Sequence, residues 1–239
     1  MADYRHIIVG VHGYWGAGKT WFADTAPGPR LILDHEGGSM DTLSDKVHWS
    51  PYDDPPAAKD LTKDTSVVVH VTDWDMVSTA VEVLQGGQHP FNSVIVDSLT
   101  EMQATCKAVI SDGPDSTFEH KHWRRLKDHM EADVRKLRDM TWPNAKRPIN
   151  VVLVMGSDME KVQATPLIEG GLRKTLPGFV DMLMFLKEAT SDKGEEIRVG
   201  EISSSDTVSA KCRLHNVKKA NGRQIINPDM RKILKEVNA

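Results

Sequence analysis

The chain has 239 residues, 39% hydrophobic and 27% charged, the composition of a globular protein long enough to bury a sizeable core. Its net charge of −4 excludes a general polyanion-binding field, so any nucleic-acid contact must come from local basic patches. Two cysteines, Cys106 and Cys212, show neither metal-ligand spacing nor a disulfide framework, and no apolar run approaches the roughly 18 residues of a membrane span. With no apolar leader either, the expectation is a reduced, cytoplasmic protein without a membrane partner.

His6 to Val11 is a short apolar, β-branched run before a glycine turn and reads as a buried strand, with a helix opening at Lys19. Leu31 to Asp34 is a second strand, and the Asp-, Pro- and Ser-rich residues 39–64 read as loop. Val67 to Val71 is a third strand. Asp73 caps a helix that Gly86-Gly87 ends. A fourth strand, Ser93 to Asp97, precedes an amphipathic helix from Leu99 to Ile110.

The longest helix is expected over 117–140, where Trp123, Leu126, Met130, Val134 and Leu137 form one apolar stripe. Asn150 to Met155 is a fifth strand, and residues 156–178 read as loops or a hairpin. Later strands are expected at 180–186, 197–202 and 208–214, and Asn227-Pro228 is read as the start of a last helix. Strands alternating with helices through residue 155 predict an α/β fold with a doubly wound, mostly parallel sheet. A core over 6–186, with an antiparallel β extension and basic tail over 187–239, would make one domain.

The turn Gly13-Tyr14-Trp15-Gly16-Ala17-Gly18-Lys19-Thr20 matches the Walker A pattern without departure. Glycines let backbone N–H groups face phosphate oxygens, and the following helix adds the positive end of its dipole. In that arrangement Lys19 reaches the β- and γ-phosphates of ATP, and the Thr20 hydroxyl binds Mg²⁺. Tyr14 and Trp15 are unusual inside such a loop: they pack over nucleotide, meet a neighbouring subunit or pack on the parent domain. Val94-Ile95-Val96-Asp97 is an apolar strand ending in an acid, the Walker B arrangement, with Asp97 on Mg²⁺ directly or through water. Ser98, not Glu, follows it. A general base must therefore come from elsewhere, and Glu36 at the end of Leu31-Ile32-Leu33-Asp34-His35-Glu36 is the first choice, before Glu101 and Asp34.

Walker A, then "LILDHEGG", then "VIVDSLTEM" resembles the RecA-like ATPase core, and more closely the phage Sak-type single-strand annealing proteins. The resemblance implies a catalytic Glu at Glu36 and a Walker B Asp-Ser at Asp97 and Ser98. It also implies two basic residues one apart in a late strand, here Lys211 and Arg213 of "SAKCR", acting on a neighbour's γ-phosphate in a homo-oligomer, ring or filament. The polar γ-phosphate sensor of such cores has only Ser157 or Asp158 as counterpart. DNA contact is implied for the loops after the fifth strand, where Lys161, Arg173 and Lys174 flank Gly170-Gly171. Lys211 to Ala239 adds eight Lys or Arg against two acids. The implied partners are single-stranded DNA, further copies of the chain and a single-strand DNA-binding protein, in the host cytoplasm if phage-encoded. The alternatives are a P-loop small-molecule kinase, for which no arginine-rich lid is evident, and a helicase-loader-type switch acting through protein contacts.

Overall fold

The computed structural model describes residues 4–42, 44–111 and 117–239, so the loop expected at Leu43 lies outside the described residues. Ten strands form one sheet. β1 is Ile8–His12, β2 Arg30–Asp34, β3 Asp45–His48, β4 Thr65–His70, β5 Ser93–Asp97, β6 Asn150–Met155, β9 Met182–Thr190, β10 Glu196–Glu201, β11 Lys211–Cys212 and β12 Gln224–Ile226. Their order is β12-β10-β9-β1-β6-β5-β2-β4-β3, with β11 also on β9. From β9 to β3 all pairings are parallel, while β10, β11 and β12 add antiparallel ones. β7 (Ser157–Glu160) and β8 (Gln163–Pro166) form a separate hairpin at the carboxyl end of β6.

Strand alternation divides the core in two. Ile8, Leu31, Leu33, Val94, Val96, Val151 and Leu153 face one side, with helices α2 (Trp74–Gly86), α3 (Leu99–Ile110), α4 (His120–Asp139) and α5 (Leu172–Phe179). Val9, Val11, Ile32, Ile95, Val152 and Val154 face the other, with α1 (Lys19–Asp24), α6 (His215–Asn221) and α7 (Met230–Val237). Cover on both faces explains the near-continuous apolar strands. The stripe of α4 is buried as its spacing requires, through Leu126, Met130, Val134 and Leu137.

Three local expectations change. The loop reading of 39–64 misses β3, an exposed edge strand of Asp-Lys-Val-His whose register comes from pairing with β4. Residues 172–179 are helical despite Pro177, because Leu172, Leu176 and Phe179 bury one face. The last helix starts at Met230 under an Asp229 cap, not at Asn227-Pro228. Asn227 instead has a left-handed backbone, and its Oδ1 accepts the Arg198 N–H at 2.8 Å. The division at 186/187 falls inside β9, and the residues beyond it supply sheet strands and α6 and α7 of the second core.

Candidate nucleotide site

β1 ends at His12, and residues 13–18 turn back into α1. Gly16 and Gly18 take left-handed φ values of 79° and 85°, which a side chain would disfavour. At Gly13 a Cβ would overlap the Leu186 carbonyl oxygen. The loop therefore depends on glycine at positions 13, 16 and 18. The Lys19 ammonium donates to the Tyr14 carbonyl at 3.0 Å, across the hollow of its own loop. Burial lowers its pKa, while the charges of Asp97 and Glu36 work in the opposite direction.

The remaining sequence-predicted groups converge on this turn. Glu36, Gly38 and Asp97 share a cavity of about 720 Å³ with Gly16, Gly18, Lys19 and Thr20. Asp97 is pushed up to about 6, first by burial and further by Glu36 and Asp34; the Thr20 hydroxyl it accepts from, and Lys19, oppose the rise. One Asp97 oxygen, Oδ2, is buried without a partner. A buried, unsatisfied carboxylate oxygen beside a hydroxyl is a costly arrangement that a cation would relieve. Among the described residues, no group of three or more His, Cys, Asp or Glu side chains could hold a metal ion. Mg²⁺ here would use Thr20 and Asp97 together with phosphate oxygens and water, which is how this hard cation is ordinarily held.

Glu36 is exposed at the rim, and its Oε1 accepts from the Ser98 hydroxyl. The turn that presents it is fixed by Asp34. Both Asp34 oxygens are committed, Oδ1 to the N–H groups of Glu36 (3.1 Å) and Gly37 (2.7 Å), Oδ2 to the Ser39 N–H and hydroxyl. All four of these bonds tie the Asp34 carboxylate to its own turn. Glu101 lies in the first turn of α3, its N–H capped by Ser98, and is not among the residues that line the cavity.

Tyr14 and Trp15 separate in role. Tyr14 packs edge-on to Phe185 with ring centroids 6.0 Å apart, whereas Trp15 is 95% exposed at the cavity mouth. Ala17 is buried under the turn. Neither Ser157 nor Asp158 lines the cavity. The Ser157 hydroxyl meets His12 Nδ1 at 2.8 Å, and Asp158 accepts the Met159 N–H. Lys161 has a left-handed φ of 60° in the turn between β7 and β8. Arg173, in α5, pairs with Glu160 of that hairpin at 3.3 Å, and Lys174 is exposed. Lys161 and Arg173 thus lie at the hairpin, and none of the three lines the cavity.

Lys211 and Arg213 lie elsewhere. β11 pairs antiparallel with the start of β9, at Met182 and Leu183, whereas the glycine turn adjoins the far end of that strand's pairing with β1, at Phe185. Lys211 donates to the Pro177 carbonyl, and Arg213 to the Val180 carbonyl at 2.7 Å and to Asp181 at 3.2 Å. Both turn to the α5–β9 junction of their own chain. Neither reaches the cavity of its own chain. The cations that do line it beyond Lys19 are Arg198 of β10 and Lys232 of α7, neither of them a sequence-predicted site residue. Neither sits in a phosphate-binding motif, so the one available signal was the basic character of the tail.

The family model for the AAA domain matches residues 5–214. The chain belongs to the AAA domain family. Its glycine turn is therefore the P-loop of a nucleotide-binding domain, held on an α/β sheet. Among solved structures, the AAA domain is similar to a prototypical ATPase from the type III secretion system of pathogenic bacteria, at 13% identity and a TM-score of 0.45. That match covers 77% of this chain and 52% of the other, so the AAA domain spans about half the length of that ATPase. No curated protein matches the chain. No helix among the described residues is long and apolar enough to cross a membrane.

Proposed function

We propose that the chain hydrolyses ATP with Mg²⁺, and that it works as a RecA-like protein on single-stranded DNA in recombination or strand annealing. The observation that carries the chemistry is the convergence of Lys19, Thr20, Asp97 and Glu36 on one cavity, with Asp97 Oδ2 left unpartnered. Backbone N–H groups of the glycine turn and Lys19 would hold the β- and γ-phosphates, so the ammonium must leave the Tyr14 carbonyl. Thr20 and Asp97 would hold Mg²⁺, which supplies charge neutralisation between the phosphates. Glu36 would take the proton of an attacking water, a reading supported by its place on the cavity rim, where its carboxylate accepts from the Ser98 hydroxyl.

The DNA reading is supported by the β7–β8 hairpin, which follows β6 at the carboxyl end of the sheet, the same end as the glycine turn. Lys161, Arg173 and Lys174 on and beside it would give sequence-independent phosphate contacts. His12 links the two regions, through Ser157 on one ring nitrogen and the Ser209 carbonyl on the other. Assembly into a homo-oligomer, and closeness to the phage Sak-type annealing proteins, belong to the same reading. Lys211 and Arg213 are not assigned to the subunit interface, since their donors turn to their own chain.

The test is ATP turnover with and without single-stranded DNA, alongside Lys19→Ala. The expected result is stimulation by DNA in the parent protein and loss of both binding and turnover in Lys19→Ala. Phosphoryl transfer to a small metabolite would instead establish a kinase. Nucleotide binding without turnover under either condition would establish a switch acting through protein contacts.

A further inference from the structure

The cavity does not end at the phosphate site. It continues along α1 from Lys19 past Trp21 and Phe22 to Thr25, where its outer wall is made by Arg198, Asn227, Pro228 and Lys232. Six helical residues span about 9 Å, the length of a nucleoside with its first phosphate. This wall is fastened at three places. Asn227 exchanges hydrogen bonds with the Arg198 backbone at 2.7 and 2.8 Å, and the Met230 N–H donates to Thr25 Oγ1 at 2.7 Å. Third, Arg198 itself is clamped between Glu188 at 2.9 Å and Glu196 at 2.8 Å. Its Nε would lie 3.1 Å from a Cβ at Gly18, so the side chain roofs the phosphate loop directly.

Strand order gives the site a direction. Glu36 and Asp97 follow from β2 and β5, on one side of β1, whereas Arg198 comes from β10 on the other. The γ-phosphate and Mg²⁺ therefore belong on the β5 side, and the α-phosphate and nucleoside on the β10 side. We propose that Arg198 and Lys232 are nucleotide ligands: Arg198 contacts the α- and β-phosphates above Gly18, and Lys232 the α-phosphate and ribose. The inference rests on the P-loop reading and adds to it the assignment of the C-terminal segment as the nucleoside wall. The two carboxylates beside Arg198 are half or more exposed, so they orient the guanidinium without burying it, and phosphate competes for it from the cavity side.

The experiment is equilibrium titration of the full chain with fluorescent ADP and ATP analogues at fixed salt. The proteins are the parent, Lys19→Ala, Arg198→Ala, Lys232→Ala and, as a control of equal charge change, Lys235→Ala on the same helix. Charge-assisted bonds of this kind predict about a tenfold or larger loss in affinity for Arg198→Ala, alike for ADP and ATP, and a smaller one for Lys232→Ala. Lys235→Ala should match the parent. If Arg198→Ala does not fold, Arg198→Gln keeps most of the stem and carries the same test. Affinity unchanged in both Arg198 and Lys232 variants, with Lys19→Ala defective, overturns the proposal alone. A loss confined to ATP would put Arg198 at the γ-phosphate and also overturn it. No binding by the parent protein overturns the P-loop reading itself.

Discussion

Asp34 lies within two residues of Glu36 and does a different job. Its four accepted hydrogen bonds fold residues 34–39 into a turn that points Glu36 at the cavity, while Ser98 holds the Glu36 carboxylate from the Walker B side. Asp34→Ala removes those acceptors from a buried carboxylate site and leaves its donors unsatisfied, at a cost of about 1–3 kcal/mol for each unsatisfied group. The expected result is slow ATP hydrolysis with Mg·ATP affinity within a few-fold of the parent, because Lys19, Thr20 and Asp97 are untouched. Parallel measurement of affinity and single-turnover rate checks it. A variant that loses affinity and rate together would make Asp34 part of the binding site instead. Sequence order puts Glu36 first as base and Asp34 behind it, but does not show what Asp34 does at the end of β2. Its hydrogen bonds show that it holds the turn.

Elements whose period was clean were readable in the sequence; those made by tertiary contact were not. β1, β5 and β6 are apolar runs buried on both faces, and α4 has a regular stripe. β3 and α6 carry little such signal: one pairs at an exposed edge, and the other buries only Val217. α5 was hidden by Pro177, whose lost N–H is outweighed by the burial of Leu172, Leu176 and Phe179. The Walker elements were legible because their chemistry demands fixed residue types, whereas Arg198 reaches the site only through the β9–β10 pairing. The C-terminal helix was legible as a helix but not as core. Its Met230, Ile233 and Leu234 pack with Phe22 and Ala23 of α1. Ile233→Ala should therefore destabilise the protein by about 2–5 kcal/mol, whereas a free basic tail would tolerate it. Urea unfolding decides between a shifted midpoint, as expected here, and no shift.

At the scale of the whole molecule, three buried histidines act against one aspartate in the pH response, and the lowered His6, Asp24 and Glu131 fall on the side of the histidines. His12, His35 and His89 are all lowered to about 4, foremost by burial; Lys19, His70 and Arg147 respectively add to the fall. In the unfolded chain each titrates near 6.5. The folded state thus binds fewer protons between about 6.5 and 4, and the stability these groups contribute is present above 6.5 and lost as pH falls toward 4. Asp97 acts in the other direction. Its folded value of about 6 exceeds its unfolded value, so falling pH between 6 and about 4 stabilises the protein through this group. Three losses outweigh one gain. Urea midpoints should fall from pH 7 to pH 4.5, and a midpoint that rises or stays level would contradict this balance.

The same sheet holds the two halves of the proposed reaction apart and aimed at each other. β1 and the glycine turn bring Lys19, while β2 and β5, with β6 between them and β1, bring Glu36 and Asp97 to the same edge. The most direct test of this arrangement is single-turnover hydrolysis of pre-bound Mg·ATP by Glu36→Gln beside the parent protein, with bound nucleotide measured in the same samples. The amide keeps the size of the side chain but cannot take a proton from water. The expected result is ATP bound within a few-fold of the parent and hydrolysed about 100-fold or more slowly. Hydrolysis at the parental rate, with ATP bound equally well, would contradict it.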